Sequence, residues 1–306
     1  MAGRSQKVWG EGNHILRNGT LVVGGSGKVG RLALAAWRDN QRLQQDIVLQ
    51  SRLNDTITGP KSLRWDPVEG SKPLCDWVDN FGPLRTMVVL AGVIPGQGRD
   101  LFKNKVIAEA CLDAAIAAGI SRVLIASSSA VYGADSRSPF VETSICNPVN
   151  AYGTAKIEME KACLARRRPG LDICILRIGN VAGADMLLLN IAKLTAGQTI
   201  EIDVFNDGRG PVRSYIGPET FASTLQSLCT YSDLLPDIIN IAAPSPVSMD
   251  DLAVAAGCRW TPRIHASSLP QRITLNCNLL ASLHDFNPED SGADEIIRQW
   301  RRTIEL

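Results

Sequence analysis

Tyr152 and Lys156 stand four residues apart in Tyr152-Gly153-Thr154-Ala155-Lys156, and Ser127-Ser128-Ser129 lies upstream, ahead of Ala130-Val131-Tyr132-Gly133. Residues four apart share one helix face, so the Lys156 ammonium is expected beside the Tyr152 phenol, favouring its ionised form and lowering a reference pKa of about 10. Tyr152 then becomes a usable acid or base. A hydroxyl at the open end of a parallel strand, such as that of Ser128, lies where ligands of such sheets bind and can hold a reacting oxygen. A further cluster, Gly24-Gly25-Ser26-Gly27-Lys28-Val29-Gly30, satisfies both G-x-x-G-x-x-G and G-x-G-x-x-G. Between a strand and a helix, such glycines allow a tight turn, close approach of backbone to a pyrophosphate, and free helix N–H groups aimed at the anion. The P-loop pattern fails, because Val29 rather than Ser or Thr follows Lys28 and no glycine stands five residues before Gly27.

These groups need a scaffold, and the chain supplies one in alternating order. Short β-branched runs fall at 20–24, 46–50, 62–65, 86–91, 121–127 and 171–178, with Ala- and Leu-rich helical patterns between them. The spacing predicts helices over 104–118, stopped by Gly119, and over 150–168, stopped by Pro169-Gly170 with three arginines in its last turn. The fold class is therefore α/β, a doubly wound parallel sheet of the Rossmann type. Past Asn180 the regularity weakens, although INIAAP over 239–244 still reads as a buried strand. A dinucleotide-binding domain over 19–179 and 215–243 is expected, with a second, smaller C-terminal substrate lobe over 180–214 and 244–306.

The end of the second strand bears on the cofactor. An acid that binds the ribose hydroxyls of NAD is expected there, but DIVLQSR offers Gln50, Ser51 and Arg52. That substitution favours a 2′-phosphate, with Arg52, aided by Lys28 or Arg31, neutralising it; NADP is the expected cofactor and NAD the alternative. Asp66, after the third strand, is a candidate acceptor for the adenine amino group. Leu90, Ala91 and Gly92, at the end of the fourth strand, are expected along the same binding surface.

Bulk properties narrow the partners. The net charge of +1, from 32 basic and 31 acidic residues, implies neither a nucleic-acid surface nor a membrane-surface helix. The first nineteen residues lack the apolar core of a secretory signal and no run reaches the roughly 20 apolar residues of a membrane span, so a cytoplasmic protein is expected. Eight cysteines, at 75, 111, 146, 163, 174, 229, 258 and 277, form no C-x-x-C pair, and no metal site is expected. Cys111, Cys163, Cys174 and Cys229 sit among Ala, Leu and Ile as small buried hydrophobes. His14, His265 and His284 lie far apart in contexts that suggest no catalytic role.

Taken together, the glycine loop, SSSAVYG, YGTAK, LRIGNVAG and PVRSYIGPE resemble the extended short-chain dehydrogenase/reductase family, over about residues 20–256. Its NAD-dependent epimerase/dehydratase branch, the nucleotide-sugar epimerases, is most similar. The resemblance implies that Tyr152 is the acid/base, that Lys156 binds the nicotinamide ribose and tunes Tyr152, and that Ser128 hydrogen-bonds the substrate oxygen, with Ser129 beside it. Asn104 matches the asparagine that opens the helix before the serine strand, though the usual following Gly-Thr is absent. Asn180 and Arg213 match positions that meet a substrate phosphate. Sugar-nucleotide dehydratases carry Asp-Glu where this chain has Ser129-Ala130, so elimination of water is disfavoured.

What remains is hydride chemistry on a hydroxyl or ketone of a sugar-like, nucleotide-linked small molecule, ending in net redox or epimerisation. Reduction of a small non-sugar ketone, or non-catalytic sensing of redox state through NAD(P), are the alternatives. The resemblance also implies a homodimer through helices 104–118 and 150–168.

Overall fold

Runs of Val, Ile and Leu build one parallel sheet, because its central strands are apolar on both of their faces and must be covered on both. The computed structural model describes residues 19–38, 47–52, 61–134, 138–195, 197–265 and 271–304. His14, and Asp46 at the start of the second expected strand, lie outside the described residues. The strands are β1 (Gly19–Val23), β2 (Ile47–Ser51), β3 (Ser62–Arg64), β4 (Leu84–Val89), β5 (Arg122–Ser128) and β6 (Asp172–Ile178). Four short strands follow, β7 (Asn180–Val181), β8 (Ile200–Val204), β9 (Val212–Arg213) and β10 (Tyr215–Ile216), before β11 (Ile238–Ile241) returns to the sheet. The sheet order is β11-β6-β5-β4-β1-β2-β3, with every neighbour parallel.

Helices close both faces. Leu21 and Val23 of β1 join a core with Met87, Val123 and Ile175 and with Leu74, Leu112 and Met159. The last three come from α2 (Lys72–Phe81), α3 (Lys103–Ala118) and α4 (Ala151–Leu164), which follow α1 (Lys28–Arg38) in the chain. Val22, between those two β1 residues, points the other way into a core with Val88, Leu124, Leu176 and Phe221. That side is covered by α1 and a later helix spanning Pro218–Thr230, which pack together. The expected doubly wound sheet is thus present, and the 239–244 strand takes its outer place beside β6 as β11.

A third core, smaller than the others, gathers Leu188, Ile202, Tyr215, Leu252, Ile296 and Trp300. Around it lie α5 (Met186–Ile191), β12 (Val247–Ser248), α7 (Met249–Ala255), β13 (Trp260–Ile264) and α9 (Ala293–Ile304), whereas α6 (Pro218–Thr230) and, after β14 (Arg272–Ile273), α8 (Asn278–Ala281) put Phe221 and Leu280 into the core on the α1 side of the main sheet. Its sheets are small: β12-β9-β14, β13-β8, and β10-β7. The β10-β7 pair sets Tyr215 opposite Asn180, just beyond the end of β6, and so ties this region to the mouth of the main sheet.

One helix differs from expectation. The segment expected over 150–168 leaves the helix at Leu164. Pro169 disfavours the α conformation at Arg168, which instead bridges to Leu171, and the N–H groups of Arg166 and Arg167 reach only the carbonyls of Cys163 and Leu164. The arginines therefore pair outward, Arg166 with Asp113 and Arg167 with Asp237. All eight cysteines are free thiols, and burial raises those of Cys111, Cys163, Cys174 and Cys229. Among the described residues no helix is long and apolar enough to cross a membrane, and no three His, Cys, Asp or Glu side chains converge as a metal site would need.

Candidate active site

The glycine loop starts where β1 ends. Gly24 has φ of +86°, and a Cβ there would lie 2.4 Å from the Ala91 nitrogen, so the loop closes directly on the end of β4. Gly27 N–H bonds the Gly24 carbonyl at 3.0 Å, and Arg31 N–H bonds Gly27 at 2.8 Å as α1 begins. The N–H groups of Lys28, Val29 and Gly30 precede that first turn-closing bond, which is how a helix start receives an anion. Gly30 packs so closely on the Gly24 carbonyl that a Cβ would stand 2.4 Å from it. A dinucleotide's diphosphate suits this run of free N–H groups at a helix start, whose shape depends on the close backbone packing that Gly24 and Gly30 allow.

Gln50 does something the sequence did not disclose. It is 7% exposed; its Oε1 accepts the Gly24 N–H at 3.1 Å, and its Nε2 donates to the Trp65 carbonyl. It braces the loop from below. Arg52 and Asp66, expected to meet different parts of a nucleotide, face each other at 3.9 Å, with the Arg52 side chain 72% exposed. Asp66 also accepts the Val68 N–H at 3.2 Å as the cap of a single 3-10 turn, Pro67–Glu69.

Beyond the loop a cleft of about 190 Å³ opens, lined by Val29, Leu90, Gly92, Asn104, Ser128, Tyr152 and Lys156 among others. Asn104 is buried and binds backbone on both sides of the β4–α3 loop: Oδ1 accepts Val93 N–H at 3.0 Å, and Nδ2 donates to Val93 and Leu101 carbonyls at 2.9 and 3.0 Å. Ser128 ends β5 and caps a turn at Ser129–Val131, its Oγ accepting Ala130 N–H at 3.2 Å. Asn150 caps α4 by accepting Gly153 N–H at 2.9 Å. The first turn of α4 then presses on that serine turn, where a Cβ on Gly153 would come 2.4 Å from the Ala130 carbonyl. This approach, which only glycine permits, brings the start of α4, and with it Tyr152, against the serine turn that Ser128 caps.

The electrostatics overturn one expectation. Burial raises the Tyr152 phenol, with the Ser128 hydrogen bond working the other way. Lys156 does not pull it down: its Nζ lies 5.8 Å from the centre of the Tyr152 ring and donates to the Ala126 carbonyl at 2.8 Å. Lys156 is itself 4% exposed, and loss of hydration lowers its pKa to about 8, opposed by the Glu160 carboxylate.

A second cavity of about 320 Å³ adjoins the first through Ser128, Gly179 and Asn180, and reaches Ser129, Asn150 and Arg213. The Arg213 guanidinium donates to the Val212 and Gln271 carbonyls at 2.9 and 3.1 Å and to the Gln271 side chain. Asn180 lies opposite Tyr215 in the β7-β10 pair. Tyr215 donates in turn to Asp185 at 3.1 Å, a carboxylate on the first cleft that burial raises. Asp185 caps α5, and its place before MLLLNI was the available signal for it.

Residues 20–242 match the NAD dependent epimerase/dehydratase family. The chain belongs to that family. It is similar to a UDP-glucose 4-epimerase of Azospirillum brasilense, 32% identical over 173 residues, covering 54% of this chain and 49% of the relative. Matches of this kind span between 18% and 49% of the relatives' lengths. Among solved structures, MoeE5 in complex with UDP-glucuronic acid and NAD superposes with a TM-score of 0.73 at 22% identity, covering 94% of this chain and 99% of that one. A Thermus thermophilus UDP-glucose 4-epimerase complex with NAD gives 0.70 at 19% identity, covering 92% and 98%. At these identities the two structures speak to the fold of this family member.

Proposed function

We propose that the chain is an NAD(P)-dependent oxidoreductase or epimerase acting on a hydroxyl or ketone of a nucleotide-linked sugar. The observation that carries this is the junction of the two cavities at Ser128. On one side lie the glycine cradle, Asn104 and Lys156; on the other lie Asn180 and Arg213. When bound, the nicotinamide supplies a hydride acceptor and donor. Tyr152 moves the proton at the reacting oxygen, Ser128 holds that oxygen, and Lys156 binds the nicotinamide ribose from below. Arg213, oriented by Gln271, meets the diphosphate. Ser129 and Ala130 supply no carboxylate for eliminating water, which favours hydride chemistry alone. That the relatives named above include UDP-glucose 4-epimerases supports the substrate class.

Three finer readings accompany this one. Arg52 favours NADP, although its pairing with Asp66 limits the preference; that MoeE5 and the Thermus enzyme are seen with NAD supports the alternative. A homodimer would use α3 and α4, which pack on each other and leave Phe102 and Val106 exposed. A reducing, cytoplasmic setting suits eight free cysteines. The deciding experiment identifies nucleotides retained by the purified protein by mass spectrometry, then screens nucleotide sugars and simple ketones by thermal shift and turnover. Turnover of a nucleotide sugar is expected; turnover of simple ketones alone would replace the proposal.

A further inference from the structure

One wall of the second cavity is a strap, residues 271–276, fastened along both edges. On one edge β14 runs parallel to β9 with Ile273 opposite Arg213, Val212 N–H bonds the Gln271 carbonyl at 3.0 Å, and Leu275 N–H bonds Ser214 Oγ at 2.9 Å. On the other, Phe140 N–H bonds the Thr274 carbonyl and Asn276 N–H the Phe140 carbonyl, each at 2.8 Å. Asn240, fully buried and fixed by the Tyr132 hydroxyl at 2.7 Å, donates from Nδ2 to the Phe140 and Asn276 carbonyls at 2.9 and 3.1 Å. Alternation then decides what the strap presents: Gln271, Ile273 and Leu275 line the cavity, and Thr274 is buried behind it. The same register orders these three along the cavity. Gln271 holds the Arg213 guanidinium at one end. Leu275 is tied to Ser214, whose carbonyl accepts the Asn180 N–H at 2.9 Å, at the junction with the first cleft. Ile273 stands midway, about 7 Å from each at about 3.3 Å per residue.

We propose that Ile273 is a specificity-determining residue, and that the nucleotide-linked sugar packs a methyl-bearing substituent against it in place of a hydroxyl-bearing one. The inference rests on the reading of the two cavities given above. A sugar whose diphosphate meets Arg213 and whose reacting oxygen meets Ser128 passes Ile273 on the way. Ala130, Ala134 and Val149 add apolar surface to the same cavity, and among the described residues lining it there is no Asp or Glu to accept a sugar hydroxyl. Against such a surface a hydroxyl loses its water without a new partner, whereas a methyl group gains burial. Withdrawal of the wall to readmit water would break the bonds along both edges of the strap, so the preference is built into the folded chain.

The test is calorimetric titration of the full-length chain, with saturating NADP or NAD, against two matched pairs of probes. UDP-N-acetylglucosamine against UDP-glucose reads an acetamido methyl, and dTDP-6-deoxyglucose against dTDP-glucose reads a methyl carried directly on the ring. In one pair the methyl-bearing member should bind at least about tenfold more tightly, the low end for one such group in an apolar pocket, and that pair names the substituent. Ile273→Thr keeps a β-branched strand residue but sets a hydroxyl in the contact; it should bring the ratio within about threefold and leave the affinity for UDP alone unchanged. Equal affinities within both pairs in the parent overturn the proposal without any variant. So does an unchanged ratio in Ile273→Thr, or a loss that is equal for all ligands, which marks a structural role. UDP alone, titrated on the parent and on Arg213→Ala, keeps the two readings apart. UDP that binds the parent and is lost from Arg213→Ala, with no preference in either pair, overturns only the inference about Ile273. Failure of UDP and of every nucleotide sugar to bind overturns the reading of the cavity, and this inference with it.

Discussion

Replacing Tyr152 by Phe removes a single hydroxyl from a ring that keeps its packing. Its neighbour Ser128 Oγ retains the Ala130 N–H at 3.2 Å, so no buried partner is stranded. Folding stability should therefore fall by no more than about 0.5–1.5 kcal/mol. Turnover should fall much further, by at least about 10²-fold, because the proton donor and acceptor is gone; that is roughly 3 kcal/mol at about 1.4 kcal/mol per decade. Cofactor affinity by calorimetry should stay within about threefold. The same pair sets the pH dependence of the parent. Burial raises the Tyr152 phenol, which holds its proton, whereas Lys156, lowered to about 8, loses its charge as pH rises through that value, so turnover should decline above it. Urea denaturation, calorimetry and turnover across pH on parent and variant give all these quantities. Turnover close to the parent's in a folded Tyr152→Phe protein would refute the assignment, and a loss of cofactor binding as large as the loss of turnover would refute the argument that only the proton was removed.

Gly24→Ala should destabilise by roughly 2–6 kcal/mol, combining positive-φ strain with the clash at Ala91, and should weaken dinucleotide binding. Gly70→Ala, at φ of +110° with nothing within 4 Å, should carry the strain alone, and equal urea midpoints for the two would remove the clash from the account. Arg213→Ala should weaken a nucleotide-linked substrate by about 10- to 100-fold and leave any reduction of small ketones unchanged; steady-state kinetics with both substrate types separate this from a folding defect, which lowers both. NADP should bind more tightly than NAD in calorimetric titrations, but by only a few-fold, since an exposed Arg52 paired with Asp66 contributes about 1 kcal/mol or less, and Arg52→Ala should erase the difference.

The central strands were legible because each is a short apolar run that only a two-sided sheet can hide, and the placing of Tyr152, Lys156 and Ser128 on one cleft was legible because their spacing puts them on a helix face and a strand end. What spacing cannot report is depth. The i,i+4 relation put Lys156 near Tyr152, but the burial that lowers the lysine and raises the phenol comes from elements distant in sequence. Gln50 was read as one of three stand-ins for a ribose-binding acid, whereas its amide is committed to Gly24 and Trp65, partners brought to it only by the β1-β2-β3 register. The region past Asn180 resisted reading for a plainer reason: β7, β9, β10, β12 and β14 are two residues long, too short for any alternation to show.

The position of β11 has a consequence for how the chain is made. β6 is buried along its whole length, yet the neighbour on its outer side is β11, supplied some sixty residues later, and the Asn240 that receives the Tyr132 hydroxyl comes 108 residues after it. At translation speeds of about 5–20 residues per second, a nascent chain presents β6 as an open, apolar sheet edge for roughly 3–12 seconds. Such an edge is a template for pairing with another chain. Ribosome-bound chains halted before residue 238 should therefore be the species that chaperones hold and that aggregates recruit, well before the first competent cleft exists.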